Sequence, residues 1–435
     1  MSNSCCCSAA EPARLAPEAI ASALRRALAA SGLIDAADSA VIFHDLSFMA
    51  GRCRAIEQAF PANALHTVAV KANPLAGVLR GLAQLGMGLE AASLAELHLA
   101  LASGVRPERI VFDSPVKTRD ELAFALAKGV HINADSWPEL TRIAELLTSQ
   151  TSASMIGLRV NPQVGAGAID QTSVAGKYSK FGVPLAEQAE AIFAAFVRHP
   201  WLRALHVHIG SQGCPLPLLV RGTSVAFACA EEINRRLAGH GRRIGLFDLG
   251  GGLPVCYRDD QPQPTVADYA GALRQAIPEL FTADWRIISE FGRFAQANAG
   301  WVASRIEYVK EGRLPTIVIH VGADLFLRRC YRPDDWHHDL FICDAGGRIK
   351  TGEMRHYAVA GPLCFAGDLL ARRVALPEAA NGDFLLIRDA GAYTLSMWSR
   401  YNSRQMPKVI GYDGDALTLL RERESLAELA AFWGA

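Results

Sequence analysis

From about residue 60 to 300, short apolar runs rich in β-branched residues alternate with stretches of helical period. The strand-like runs fall at 66–70, 88–91, 110–113, 130–133, 155–160, 204–209, 244–249 and 286–290, with amphipathic stretches such as 94–102, 119–127, 137–147, 185–196 and 269–277 between them. Eight strand–helix repeats over about 250 residues are the pattern of a (β/α)8 barrel of the TIM type; a doubly wound sheet, the alternative, normally uses fewer strands. After residue 300 the texture changes: the runs 316–321, 339–343, 356–359 and 384–387 are separated by Gly, Pro and Asp turns with little helical period. That predicts an α/β barrel followed by an all-β domain, a C-terminal β-barrel or sandwich. The expected division is a disordered tip at 1–15, a segment at 16–46 that lends its strand-like run 40–43 to the β-domain, a barrel at 47–300 and the β-domain at 301–435. The helical stretch 17–30 is expected to pack on the outside.

Composition narrows the class of function. The 435-residue chain balances 44 basic against 44 acidic residues and is 50% hydrophobic, so no net field draws it to nucleic acid or anionic lipid. No apolar run approaches the roughly 20 residues needed to span a bilayer. The start of the chain lacks the basic and apolar regions of a signal peptide, and Cys5, Cys6 and Cys7 are followed by no second ligand cluster. The other seven cysteines show no CxxC spacing, which points to free thiols and a cytoplasmic protein. Adjacent His337 and His338 would face opposite ways on a strand, so no metal site is expected.

The chemistry begins at Lys71, which closes the first barrel strand and is followed by Ala72-Asn73-Pro74. Burial there should strip the amine of water, lower its pKa and make it the nucleophile of a Schiff-base enzyme. Strand seven ends in Gly250-Gly251-Gly252, where backbone N–H groups can converge on an anion, and strand eight ends in Glu290-Phe291-Gly292-Arg293. Phosphate sites of such barrels commonly lie at these two strand ends. Strand six ends in His206-Val207-His208-Ile209-Gly210-Ser211, with both histidines on one side. A Schiff-base lysine, a phosphate cradle, an imidazole face and a carboxylate suit pyridoxal 5'-phosphate, whose ring accepts electrons from a substrate Cα.

With those residues in view, the chain resembles the fold type III pyridoxal-phosphate decarboxylases, in particular the diaminopimelate, ornithine and arginine decarboxylases, over about residues 40–415. The marks are Val70-Lys71-Ala72-Asn73, Arg159-Val160-Asn161-Pro162, Ser179-Lys180-Phe181-Gly182, His208-Ile209-Gly210-Ser211-Gln212, the glycine triplet, Glu290-Phe291-Gly292-Arg293, the run Gly361 to Asp368, and Asp389-Ala390-Gly391-Ala392-Tyr393. The resemblance implies that Lys71 holds the cofactor, Glu290 pairs with the pyridine nitrogen and His208 stacks on the ring. It also implies that Ser211, Gly251, Gly252, Gly292, Arg293 and Tyr393 hold the cofactor's phosphate end, and that Cys364 donates a proton in the partner's site of a homodimer. Arg328 matches the arginine that binds a distal substrate carboxylate.

Two positions depart from the family pattern. Phe365 stands where an acid normally follows the cysteine and meets the substrate's distal amine, a contact worth about 1.5–3 kcal/mol. Asp368 remains to reach such an amine, and Trp398 replaces a smaller residue. Beside the cationic run Arg328-Arg329, these changes suggest a substrate other than diaminopimelate, such as a citrate-conjugated diamino acid from siderophore biosynthesis. Diaminopimelate decarboxylation itself, an amino-acid racemase on the same barrel, and a non-catalytic relative are the alternatives.

Overall fold

The computed structural model describes residues 12–435. Its first strand, β1 (Ala40–Asp45), precedes eight parallel strands that close on themselves: β2 (Leu65–Ala69), β3 (Gly88–Ala91), β4 (Ile110–Phe112), β5 (His131–Ala134), β6 (Ile156–Asn161), β8 (Leu202–His206), β9 (Leu246–Asp248) and β10 (Arg286–Glu290). Each pairs with the next in sequence, and β10 pairs with β2, so the sheet has no open edge. A two-residue strand, β7 (Val183–Pro184), lies beside β6 outside the barrel. Closure rules out the doubly wound alternative.

Local signals set the outer helices. Thr118 and Thr265 cap helices Arg119–Lys128 and Val266–Ala276, each in a reciprocal capping box, and Gly129 ends the first of these in a left-handed turn at φ 75°. The helix Leu46–Ala59 joins this outer ring by packing on Val266–Ala276. Lys117 is buried in the loop between β4 and helix Arg119–Lys128, 2.7 Å from Glu139 and donating to the Ser114 and Asn133 carbonyls. Lys117→Met should lower stability by about 3–5 kcal/mol in urea denaturation, because Glu139 would be left as a buried, unpaired charge, and Lys117→Met/Glu139→Leu should recover much of that loss.

The second sheet is built on β11 (Gly300–Lys310), with β12 (Thr316–Ile319), β13 (Leu340–Cys343), β14 (Met354–Ala360), β15 (Leu369–Pro377), β16 (Phe384–Ile387), β17 (Lys408–Asp413) and β18 (Ala416–Arg421). Strand β1 does join it, antiparallel to β11 and parallel to β17. Phe43 and Trp301 are paired in register and stack at 4.0 Å. Helix Pro17–Ala29 covers this face with Ile20, Leu24 and Ala27.

The expected disordered tip falls mostly outside the described residues, the three adjacent cysteines included. Its last described part is ordered against the fold: Arg14 is buried among aspartates and Leu15 lies in the core. Among the described residues all seven cysteines are unpaired, and no helix is long and apolar enough to cross a membrane.

Candidate active site

The barrel's interior is graded along its axis. Near the strand starts, Leu65, Val111, Ala204, Leu246 and Ile288 form a small apolar cluster. Side chains two residues further on share its side of each strand, so Val111 leads to Asp113, Ala204 to His206 and His208, Leu246 to Asp248, and Ile288 to Glu290. Ionisable groups thus converge where the strands end, the face on which such barrels place their chemistry.

Strand β2 ends at Ala69, and Val70–Ala72 form one helical turn that presents Lys71. Its Nζ lies 2.8 Å and 2.7 Å from the two oxygens of Glu90, which is fully buried on the neighbouring β3. The expected lowering of the lysine's pKa is corrected by this geometry. Burial does push it down, but the carboxylates of Glu90 and Glu290 outweigh that and hold the ammonium form above the ordinary lysine range. Burial drives Glu90 the other way, towards its protonated form, against the pull of Lys71.

Opposite this pair, Glu290 Oε2 lies 4.0 Å from His206 Nε2 and 4.0 Å from His208 Nδ1, so the two histidines do share a side. Asp113 Oδ1 is 3.5 Å from His206 Nδ1. Burial, with Asp248, Glu90 and Asp113 nearby, raises the Glu290 pKa far above the usual carboxylate range. Burial likewise keeps both imidazoles neutral, with Arg159 and Lys71 adding to the effect at His208. Nδ1 of His208 accepts the Gly251 N–H at 3.0 Å, which puts the neutral ring's one N–H proton on Nε2. Among the described residues, Glu290 Oε1 and both His206 nitrogens are buried without a hydrogen-bond partner.

The glycine loop admits no side chain. A Cβ on Gly251 would sit 2.3 Å from the Glu290 carbonyl oxygen, and one on Gly252 only 1.9 Å from that of Gly210; Gly252 also has φ +102°. A Cβ on Gly292 would meet Ala69 at 2.8 Å, so this glycine lets the turn after β10 close onto the strand that leads to Lys71. Arg293 Nε donates to Ser211 Oγ at 3.1 Å and its Nη1 to the Tyr257 hydroxyl at 2.9 Å. Its guanidinium lies 4.5 Å from the Tyr393 ring. Tyr393, at φ 59°, donates its N–H to the carbonyl of Ala72, so the β-domain reaches the residue beside Lys71.

Arg328 shares that aromatic surround, 4.5 Å from Tyr393 and 4.6 Å from Trp336. Burial, then Arg293 beside it, pushes its pKa down to about 10, and its Nη1 is buried without a partner among the described residues. The other positions singled out in the sequence lie in the β-domain. Cys364 is exposed, its loop held by Asn402, which accepts the Cys364 N–H at 2.7 Å, and by the Tyr401 hydroxyl. Phe365 stacks on Tyr331 at 5.4 Å. Asp368, expected to reach a distal amine, is buried, and its oxygens accept the N–H groups of Ala323 and Leu363, bracing the Cys364 loop. Trp398 packs on the β-domain core.

Comparison with known proteins decides the family. Residues 46–297 match the model of the pyridoxal-dependent decarboxylase family, pyridoxal binding domain. The chain belongs to this family. A diaminopimelate decarboxylase of Pseudomonas aeruginosa is 36% identical over 366 residues, 83% of this chain and 85% of its own. One from Zymomonas mobilis is 32% identical over 86% of this chain and 87% of its own. Among solved structures, the Helicobacter pylori diaminopimelate decarboxylase with L-lysine is 28% identical, covers 91% of this chain and 96% of its own, and has a TM-score of 0.81. The protein is therefore a pyridoxal-phosphate-dependent carboxy-lyase. Its residues fit the cofactor: Glu290 offers an orphaned buried carboxyl oxygen to a ring nitrogen, and the glycine loop leaves the room that a Cβ would fill.

Four groups of the site were missed in the sequence: Glu90, Asp113, Tyr257 and Trp336. Glu90 carried a usable signal, as the one charged residue in the strand Gly88–Ala91, a run otherwise apolar. Asp113 had the same signal at the end of its strand. Tyr257 and Trp336 had none, since each lies in a loop without periodicity.

Proposed function

We propose that this decarboxylase removes the α-carboxylate of an amino acid that carries a second carboxylate at its far end, with meso-diaminopimelate the substrate its relatives support best. Arg328 carries the reading: among the described residues no carboxylate pairs with this largely buried guanidinium, which sits beside the Arg293 anion site. The relatives' names favour diaminopimelate over the conjugated diamino acid suggested by Phe365.

When bound, pyridoxal phosphate supplies the electron sink for the bond to carbon dioxide. Ser211, Arg293, Tyr393 and the glycine N–H groups would hold its phosphate, His208 would cover its ring and Glu290 would face its nitrogen. Glu290 is poised for that place because burial stores a proton on it, ready to be shared with a basic ring nitrogen. Glu90 holds the Lys71 ammonium in position until the lysine gives up its proton to become nucleophilic. The proton that replaces carbon dioxide at the substrate Cα comes from Lys71 Nζ or from Cys364 Sγ of a second copy in a homodimer. The exposure of the Cys364 loop supports the second source, and we place the enzyme in the cytoplasm.

A panel of meso-diaminopimelate, ornithine, arginine and a citrate-conjugated diaminopropionate, assayed by carbon dioxide release, tests the substrate. Highest kcat/KM on diaminopimelate supports the proposal; preference for the citrate conjugate would favour the second reading, for which Phe365 stacked on Tyr331 is the specific observation. Arg328→Met should raise KM for the preferred dicarboxylate roughly ten- to hundredfold, the value of a charge-assisted hydrogen bond, and should leave cofactor content unchanged.

A further inference from the structure

We infer that Arg14, from the segment ahead of the first helix, is a positioning residue that assembles the aromatic surround of both active-site arginines. Its guanidinium is buried and meets three aspartates from three separate stretches of chain: Asp259 at 2.8 Å, Asp389 at 3.0 Å from Nε, and Asp339 through Nη2. Each of these aspartates is near an aromatic residue that faces the site. Tyr257 lies two residues before Asp259, Trp336 three before Asp339, and Tyr393 four after Asp389. These three rings surround Arg293 and Arg328, which also reach Ser211 and Met397 respectively. Arg293 donates to the Tyr257 hydroxyl, and both guanidinia lie over Trp336 and Tyr393, at 5.1 Å and 4.5 Å for Arg293 and at 4.6 Å and 4.5 Å for Arg328.

One cation behind the site therefore ties the loop after β9, the approach to β13 and the turn after β16, while the rings in front aim the two cations that meet anions. The attachment is reinforced on both sides. Asn298 donates to the other Asp389 oxygen at 2.7 Å, and Arg388 donates to the Leu15 carbonyl at 2.6 Å while lying 3.5 Å from Asp339. Asp389 itself has φ 59°, a left-handed conformation uncommon for a residue with a side chain, and it is 2% exposed. Without Arg14, three carboxylates would repel across this junction, opposed by Arg388 beside Asp259 and Asp339 and by His337 at Asp339, and the turn that sets Tyr393 would lose its fixed end. Displacements well under the size of a side chain at a binding group are enough to lower function strongly.

The part of this inference that concerns Arg328 rests on its meeting a distal carboxylate; the part that concerns Arg293 does not. The test is R14Q in the full-length holoenzyme, with three readouts: pyridoxal phosphate dissociation without substrate, followed by visible absorbance; the split between KM and kcat; and thermal melting of the apoprotein. The expected result is a roughly ten- to hundredfold rise in both the cofactor dissociation constant and KM, with kcat little changed when both are saturating. R14Q/D389N should recover part of the cofactor affinity, since Asn tolerates the left-handed turn and carries no charge to neutralise. A lower melting temperature with wild-type cofactor affinity and KM would overturn the inference, because Arg14 would then be a structural tie alone. If R14Q does not fold, R14K decides: a compact ammonium keeps the charge but lacks the planar fork whose separate nitrogens meet the three aspartates, so weaker cofactor binding supports positioning and wild-type binding overturns it. A raised cofactor dissociation constant with KM unchanged, alongside an Arg328→Met variant of normal KM, would reject the distal-carboxylate reading and leave the positioning of Arg293 standing.

Discussion

Lys71→Ala should lower decarboxylation by roughly ten-thousandfold or more, the scale on which loss of a covalent-catalysis nucleophile acts. The structure gives this expectation a second arm. Lys71 is hydrogen-bonded to both oxygens of Glu90, a carboxyl group with no exposed surface. Removing the ammonium leaves Glu90 in a buried site without its main counter-charge, so it should take up a proton and remain folded rather than stay ionised. The variant is therefore expected to melt as a cooperative unit, to keep weak affinity for the cofactor through the phosphate cradle, and to lose the absorbance that the covalently held cofactor gives. Substantial turnover in Lys71→Ala would show that another amine does the work. Glu90→Gln should give a milder loss, because it removes the group that orients the lysine and leaves the nucleophile.

Gly252→Ala should be the most damaging single-methyl change in the molecule. A Cβ at this position meets the Gly210 carbonyl oxygen at 1.9 Å, and the backbone sits at φ +102°, where residues with side chains are strained by about 1–3 kcal/mol. Both effects fall on the loop that faces Ser211 and Arg293, so cofactor affinity and stability should drop together, by more than the strain alone. Gly32→Ala is the matched control. It also has positive φ, +74°, but nothing lies within 4 Å of its added methyl. It should cost about 1 kcal/mol of strain and leave cofactor binding untouched. Measuring cofactor dissociation and denaturation for both variants separates backbone strain from damage to the cradle. Equal behaviour of the two would mean that the close approach at Gly252 has no bearing on the cofactor.

The barrel was legible because each strand carries its own local pattern. The runs 88–91 and 286–290 coincide with β3 and β10, and the helix 94–102 matches from end to end. Strand β1 was also readable, since Ala40 to Phe43 has no partner of the same kind near it in sequence. No strand was expected at 300–310, where β11 lies, because its two halves pair with different strands and a register shift lies between Ile306 and Tyr308. At the site, Lys71, His208 and Glu290 at strand ends were found, whereas Glu90 and Asp113, whose partners come from other strands, were not. The lysine's pKa direction went wrong for that reason: burial is visible from one strand, but Glu90 comes from another. Asp368 reads as a site acid in its motif, and only the fold shows its oxygens taken up by Ala323 and Leu363. Arg14 is the extreme case, with partners 245 to 375 residues away.

The central claim is that Lys71 holds pyridoxal phosphate between the glycine loop and Glu290. Reduction of the purified holoenzyme with borohydride, followed by peptide mass spectrometry, tests it most directly. The account predicts one phosphopyridoxyl group per chain, on the peptide that contains Lys71 and on no other lysine. A modification found elsewhere, or a reduced protein with Lys71 unmodified, would contradict it.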